Sequence, residues 1–288
     1  GSNDNDNGFA ITTDRLGNIY TTGYFDGWTD FDPGSGIFNL GSNGNQDVFI
    51  HKVDSSGNFL WARAFGGQIG DFGQSIAVDN SGNVYTVGDF IGTVDFDPGP
   101  GTTNLLGGSS SYFVQKLDSS GNFLWANSVR GSLSTSPASV TLDPQGIPYT
   151  ITRFNFIDKL DTAGNVTWSG YSGGDNSASI TSDFLGNIYV TGNFSGIRDF
   201  DPGPGAANRF SSGRADLFVQ KFSNCDPDIT TTVNSMTITS NSTIATYQWL
   251  DCTNGYAIIQ GDTNQSFTVP TNGSYAVELT NGSCIDTS

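Results

Sequence analysis

The sequence of 288 residues holds one histidine, one methionine and three cysteines. Zinc centres built on several His and Cys ligands are excluded by that count. A Ser-His-Asp triad would have to use His51, in FIHKVD (49–54). Positive charge is also scarce: 11 Lys and Arg face 28 Asp and Glu, a formal net charge of −17. Nucleic acid and anionic membrane surfaces are therefore excluded as expected partners, whereas cations and neutral sugars fit. No run of about eighteen apolar residues exists, so no stretch reads as a membrane-spanning helix. Long apolar patterns of helical period are missing too. No secretory leader is legible, and the expectation is a mature or truncated product.

What is abundant is glycine, with 38 residues, and aromatic side chains, at 12%. Both recur in register. GNIYTTGYF (17–25) matches GNVYTVGDF (82–90) and GNIYVTGNF (186–194), and GIPYTITRF (146–154) is a weaker copy. Tyr20 and Tyr85 lie 65 residues apart, Tyr85 and Tyr149 lie 64 apart, but Tyr149 and Tyr189 only 40. The third unit is thus short by about 25 residues, and periods of this kind signal a repeat architecture.

Each unit reads as four short strands. GFAITTD (8–14) is a first strand, the Tyr segment a second, DVFIHKVD (47–54) a third and NFLWARAF (58–65) a fourth. Turns such as DSSGN (54–58, 118–122) and DRLGN (14–18) join them. Asp bonds the backbone two residues on and Gly supplies positive φ, so D-x-x-G closes a hairpin. Repeated four-stranded antiparallel units predict an all-β fold with β-propeller blades. The expected units are 1–65, 66–130, 131–172 and 173–224, the last lacking its fourth strand. The reading is the C-terminal part of a larger ring, with a closed four-bladed ring as the alternative.

The joint pattern GNVYTTGxFxGTxDFDPGxG…DxFxxKLDSSGNFLWA resembles the propeller repeats of secreted Bacteroidetes proteins, over roughly residues 1–224. The resemblance implies a secreted or outer-cell-surface location. From residue 225 the texture turns to Thr, Ser and Asn. TYQWLDC (246–252) and GSYAVELTNGSC (273–284) resemble a truncated immunoglobulin-like module of the kind that precedes a type IX secretion sorting domain. In that resemblance Trp249 is the buried strand Trp and Tyr275 the corner Tyr. It further implies a Cys252–Cys284 disulfide, with Cys225 left over, and the type IX secretion machinery as a partner.

DFDPG occurs at 30–34, 95–99 and 199–203 and is missing from the short third unit, so it is an insertion between the second and third strands. Two readings stand. Asp30, Asp32, Asp95, Asp97, Asp199 and Asp201 are candidate calcium ligands, because D-x-D points both carboxylates one way along an extended strand and glycine turns carbonyls inward. Alternatively the loop is structural: Asp caps turns, Phe31, Phe96 and Phe200 plug between blades, and Pro fixes the exit. With the inter-blade segments, one face of the ring is expected to gather Asp4, Asp6, Asp71 and Asp175 beside these six.

Catalysis is not expected. His51 aligns with Gln115, Asp158 and Gln220, which suits a blade filler. Carboxylate pairs of the glycosidase kind are formally present but recur with the repeat. Lys52, Lys116, Lys159 and Lys221 read as blade-edge salt bridges, and Trp61, Trp125 and Trp168 as core. Trp28 stands alone in its loop and is a candidate ligand contact. DTA (161–163) makes Thr162 a candidate O-glycosylation site as well as a turn residue. The expected function is a non-catalytic, adhesin-like binding or structural protein with a glycan or protein ligand. An accessory module of a larger secreted enzyme, and a passive spacer or secretion cargo, are the alternatives.

Overall fold

A computed structural model describes residues 5–108, 111–129, 137–201, 206–222, 231–234, 236–240, 246–255, 257–270, 273–281 and 284–287. The chain forms two compact units, Gly1–Lys221 and Phe222–Ser288.

The first unit is built of antiparallel blades. Blade 1 holds β1 (Asn7–Thr13), β2 (Ile19–Phe25), a two-stranded ribbon β3 (Trp28–Asp30) and β4 (Asn39–Gly41), then β5 (Asp47–Val53) and β6 (Phe59–Phe65). Its sheet runs β1-β2-β5-β6, with the ribbon outside it. Blade 2 repeats this with β7 (Phe72–Val78), β8 (Val84–Phe90), ribbon β9 (Thr93–Asp95) and β10 (Asn104–Leu106), β11 (Ser111–Leu117) and β12 (Phe123–Val129). Blade 3 has β13 (Pro137–Leu142), β14 (Pro148–Thr152), β15 (Phe156–Leu160) and β16 (Val166–Tyr171), and no ribbon. Blade 4 has β17 (Asn176–Ser182), β18 (Ile188–Phe194), ribbon β19 (Ile197–Asp199) and β20 (Asn208–Phe210), and β21 (Asp216–Phe222). Among the described residues its sheet has three strands, and no strand pairs blade 4 with blade 1.

One aspartate closes each D-x-x-G hairpin turn. Asp14 Oδ1 accepts from the amides of Leu16 and Asn18, both at 2.9 Å, and Oδ2 accepts from Asn18 Nδ2 at 2.7 Å. Asp54, Asp79, Asp118, Asp161 and Asp183 do the same with their own Asn. Gly17 supplies the positive φ of 80° that the turn requires. These bonds hold the Asp54 and Asp161 carboxyls below the usual carboxylate range.

Blades stack face to face. Val48 and Ile50 of β5, with Trp61 and Phe65 of β6, meet Ile76, Val84, Phe90 and Phe113 of blade 2 in one apolar core. Tyr112 and Val114, on the opposite face of β11, meet Val140 and Leu160 of blade 3. Covered on both faces, β8 is buried at all seven positions. Each fully buried aliphatic or aromatic side chain contributes about 1.5–3 kcal/mol. Between blades, Trp61 Nε1 donates to the Ser119 carbonyl at 3.2 Å, and Trp125 Nε1 to that of Thr162 at 3.0 Å. The tryptophans thus latch each blade to the next one's turn as well as filling core. Trp168 is 43% exposed.

The recurrent lysines differ from expectation. Each ammonium lies over the repeat tyrosine of its own blade, at 4.9, 4.7, 5.7 and 5.8 Å from Tyr20, Tyr85, Tyr149 and Tyr189. Lys116 also pairs with Asp79 at 3.9 Å. Cation–ring attraction is therefore the shared interaction.

The second unit packs two antiparallel sheets. One is β22 (Thr231–Asn234), β23 (Thr237–Ser240) and β26 (Ser266–Thr268). The other has the order β25-β24-β27-β28, from β24 (Thr246–Asp251), β25 (Ala257–Ile258), β27 (Tyr275–Asn281) and β28 (Cys284–Thr287). Trp249, fully buried, stacks on Phe267 of the opposite sheet at 5.3 Å, and Tyr275 packs on that same ring at 5.2 Å. The Cys252–Cys284 bridge is not formed, and Cys252 is a free thiol. The register explains this. The Cys252 amide bonds Ser274 at one end of β27, while Cys284 pairs with Asn281 at the other. Seven residues of strand separate the two sites, about 23 Å, far beyond disulfide reach. Cys225 lies outside the described residues.

Candidate functional site

DFDPG is the loop that joins the two strands of each ribbon. In blade 1, Asp30 Oδ1 accepts from the amides of Asp32 at 3.0 Å and Phe38 at 2.9 Å, so one oxygen ties both ends of the loop. Asp95 does this with Asp97 and Thr103, and Asp199 with Asp201 and Ala207. The second aspartate closes an Asx turn over the proline: Asp32 Oδ1 accepts from Gly34 at 2.7 Å, and Asp97 Oδ1 from Gly99 at 2.8 Å. The amide bonds hold Asp30 and Asp199 below the ordinary carboxylate range. Pro202–Gly205 lie outside the described residues.

The phenylalanine between the two aspartates points inward. Phe96 is fully buried and meets Phe65, Phe90 and Phe113, each at 5.1 Å, so it joins blades 1 and 2. Phe31 packs on Phe25 and Phe49, and Phe200 on Phe194 and Phe218, all within their own blades. A third-strand side chain then holds the loop down. Gln115 Nε2 donates to the Phe96 carbonyl and Gln220 Nε2 to that of Phe200, both at 2.7 Å. His51 takes this place in blade 1, hydrogen-bonded to the Phe31 backbone, with its pKa lowered by burial. The lone histidine therefore serves as a loop bracket. Blade 3 has no ribbon, and there Asp158 accepts from Ser169 Oγ instead.

Of the expected acidic face, Asp6, Asp30 and Asp32 line one cleft on blade 1, whereas Asp71 and Asp175 are engaged internally. Asp71 is fully buried, because Gly67 and Ile91 donate their amides to its two oxygens. Asp175 binds Arg198 Nε at 2.8 Å and the Ser195 hydroxyl. Asp4 lies outside the described residues. Among the described residues no group of three or more His, Cys, Asp or Glu could hold a metal ion. Each DFDPG loop offers two carboxylates whose Oδ1 atoms already receive backbone donors in blades 1 and 2. In blades 1 and 2 these carboxylates therefore serve the loop itself through Oδ1.

Exposed apolar side chains mark the ribbons. Trp28, paired with Gly41, is 76% exposed; Leu106, paired with Thr93, is 79% exposed; and Ile197 and Phe210, paired together, are 56% and 72% exposed. These are one register position repeated three times. Trp28 was legible by its isolation. Ile197 aligns with Trp28, and Leu106 and Phe210 lie across the ribbon at the position of Gly41. Thr162 is exposed in the Asp161–Gly164 turn, with its carbonyl engaged by Trp125 and its side chain clear of the latch.

Residues 1–32 and 60–89 match the model of the SBBP family, described as a beta-propeller repeat. The chain is thus an all-β protein carrying propeller repeats. It is similar, at 33% identity over 97 residues, to a WD repeat-containing protein of Acanthamoeba polyphaga mimivirus. That match covers 29% of this chain and 7% of the viral protein's length. Among solved structures it is similar to a protein of unknown function from Bacteroides caccae, with TM-score 0.40 and 10% identity over 82% of this chain and 70% of that one. The beta-propeller domain of Cps50 (Swd1) from Myceliophteria thermophila has TM-score 0.35 and 8% identity, covering 99% and 96% of the two chains. PorZ, a surface component of the type-IX secretion system of Porphyromonas gingivalis, has TM-score 0.33 and 13% identity, covering 98% of this chain and 44% of PorZ.

Proposed function

We propose that this is a non-catalytic binding propeller displayed outside the cell, whose ribbons contact a glycan or protein partner. The observation that carries the reading is the ribbon itself. Blade 3 folds without one, so ribbons are not required for a blade. Yet each is braced by an aspartate, anchored by a buried or half-buried phenylalanine and tipped with large exposed apolar groups at one register position. Exposed apolar groups arranged in this way mark interaction surfaces. The extracellular placement rests on the resemblance of the repeats to those of secreted proteins. The second unit serves in this reading as an immunoglobulin-like spacer, supported by Trp249 at the centre of two packed sheets. The DFDPG aspartates are loop braces, and binding does not depend on calcium.

The ring is larger than four blades in this reading. On blade 1 a cleft of about 380 Å³ opens over Phe25, Phe31, Phe49 and His51. The matching surface of blade 2, over Phe90, Phe96 and Phe113, is covered by Phe65 of blade 1. At the other end, β21 exposes Leu217 (78%) and Val219 (69%) where β11 buries Tyr112 and Val114. These two uncovered faces support a ring with further blades of the same kind.

The test is an array of glycans, polysaccharides and cell-surface proteins, probed in millimolar Ca²⁺ and in EDTA. A Trp28→Ser/Leu106→Ser/Phe210→Ser variant is run beside the parent chain. Binding that persists in EDTA and disappears in the variant, with an unchanged melting temperature, is the expected result. Binding seen only with Ca²⁺, or turnover of an arrayed glycan, overturns the reading.

A further inference from the structure

A second cleft, of about 590 Å³, lies between blades 1 and 2 and is absorbed by none of the roles above. One wall is the first ribbon with Leu40, and the other is the second DFDPG loop with Pro98 and Pro100. Arg63 and Phe123 form part of the floor, and Asp97 stands at the loop. Such a cleft requires a ribbon on one blade and a DFDPG loop on the next. Blade 3 has neither, so the junctions of blades 2–3 and 3–4 each lack one wall.

Its polar groups retain bonding capacity. Arg63 donates from Nε to the Gly121 carbonyl at 2.9 Å, from Nη1 to Ala62 at 2.9 Å and from Nη2 to Ser120 at 3.2 Å. A guanidinium has five N–H groups, so two remain. Asp97 Oδ1 accepts from Gly99, and Oδ2 has lone pairs to spare. Arg63 is held rigidly by turn carbonyls and Asp97 by its own turn, so both are pre-organised. The cleft also has the size and mixed lining of a ligand site.

We infer that this cleft binds a neutral carbohydrate chain, an inference that rests on the ribbon-binding reading above. Arg63 is already offset by Asp118 beside it and by Asp97 in the lining, which disfavours an anionic ligand, and the chain's −17 repels polyanions. Sugar hydroxyls can donate to Asp97 Oδ2 and accept from the spare N–H groups of Arg63. Proline rings, Leu40 and Phe123 offer apolar surface to the C–H face of a pyranose. The open groove between two rigid walls suits a polymer better than an isolated small molecule.

The experiment is affinity electrophoresis of the whole chain in gels containing laminarin, xylan, mannan or dextran, with heparin as the polyanion control. Asp97→Asn keeps an acceptor for Gly99 and removes the charge, and Pro100→Trp fills the groove from an exposed position. Retardation by at least one neutral polymer is expected, weakened at least tenfold in both variants. Leu16→Ser, in the β1–β2 turn, leaves it unchanged. No retardation by any neutral polymer, retardation by heparin alone, or retention that survives both variants overturns the inference. If binding survives both variants but disappears in the triple ribbon variant, the ribbon reading stands and the cleft assignment fails. If neutral polymers do not bind while an arrayed protein or peptide does, the occupant is not carbohydrate.

Discussion

Asp47 is the sharpest stability prediction. It opens β5 and is 2% exposed. Oδ2 accepts from the Asn43 amide at 2.8 Å, and Oδ1 is buried without a partner. Gly66 backs closely onto Oδ1, since a methyl group there would fall 2.2 Å from it. Burial first, and then the charges of Asp71 and Asp26, push its pKa from 3.8 up to about 7. The sign follows. The folded carboxyl keeps a proton that the unfolded one releases, so stability is full below about pH 4 and falls as pH rises toward 7. About three pKa units correspond to on the order of 4 kcal/mol, an upper bound because Asp71 titrates in the same region. Asp47→Asn keeps the Asn43 bond through its amide oxygen and imitates the protonated acid. Urea unfolding of the propeller transition at pH 4 and pH 8 measures the effect. The variant should match the parent at pH 4 and exceed it by a few kcal/mol at pH 8. A residual slope from Asp71, whose pKa burial raises to about 6, should remain. A parent chain that gains stability between pH 5 and 8, or a variant with no advantage at pH 8, refutes the reasoning.

Other outcomes follow from the same packing. Phe96→Ala should cost about 3–5 kcal/mol in urea unfolding, and Phe31→Ala less, because Phe31 is only half-buried. Trp61→Phe removes one inter-blade bond for about 1 kcal/mol or less, since Lys52 Nζ still donates to the Ser119 carbonyl at 3.0 Å; thermal melts measure it. Cys252 should be alkylated by maleimide without prior reduction, as mass spectrometry of the unreduced chain would show.

Much of this architecture is legible in the residues. The D-x-x-G-N turns, the repeat tyrosines and the DFDPG insertions are local signals, written within a few residues and repeated. The insertion was legible because the third unit drops it, but not its folding into a separate two-stranded ribbon. What was not legible depends on three-dimensional neighbours. Asp71 reads as one more surface acid, and only the amides of Gly67 and Ile91 reveal its burial. The lysines read as salt-bridge donors because nothing local shows the tyrosine ring beneath each. The Cys252–Cys284 pairing was implied by resemblance, and strand register decides against it. The cleft at Arg63 joins four segments from two blades, so no single stretch announces it.

The claim that the DFDPG aspartates brace their own loops is tested most directly by melting the propeller in millimolar CaCl₂ and again in EDTA. The account expects the same melting temperature in both. An ion site at a hundredfold over its Kd would add about 2.7 kcal/mol, or roughly 5–10 °C for a unit of this size. A calcium-dependent rise of that magnitude, abolished by Asp95→Asn/Asp97→Asn, would contradict it.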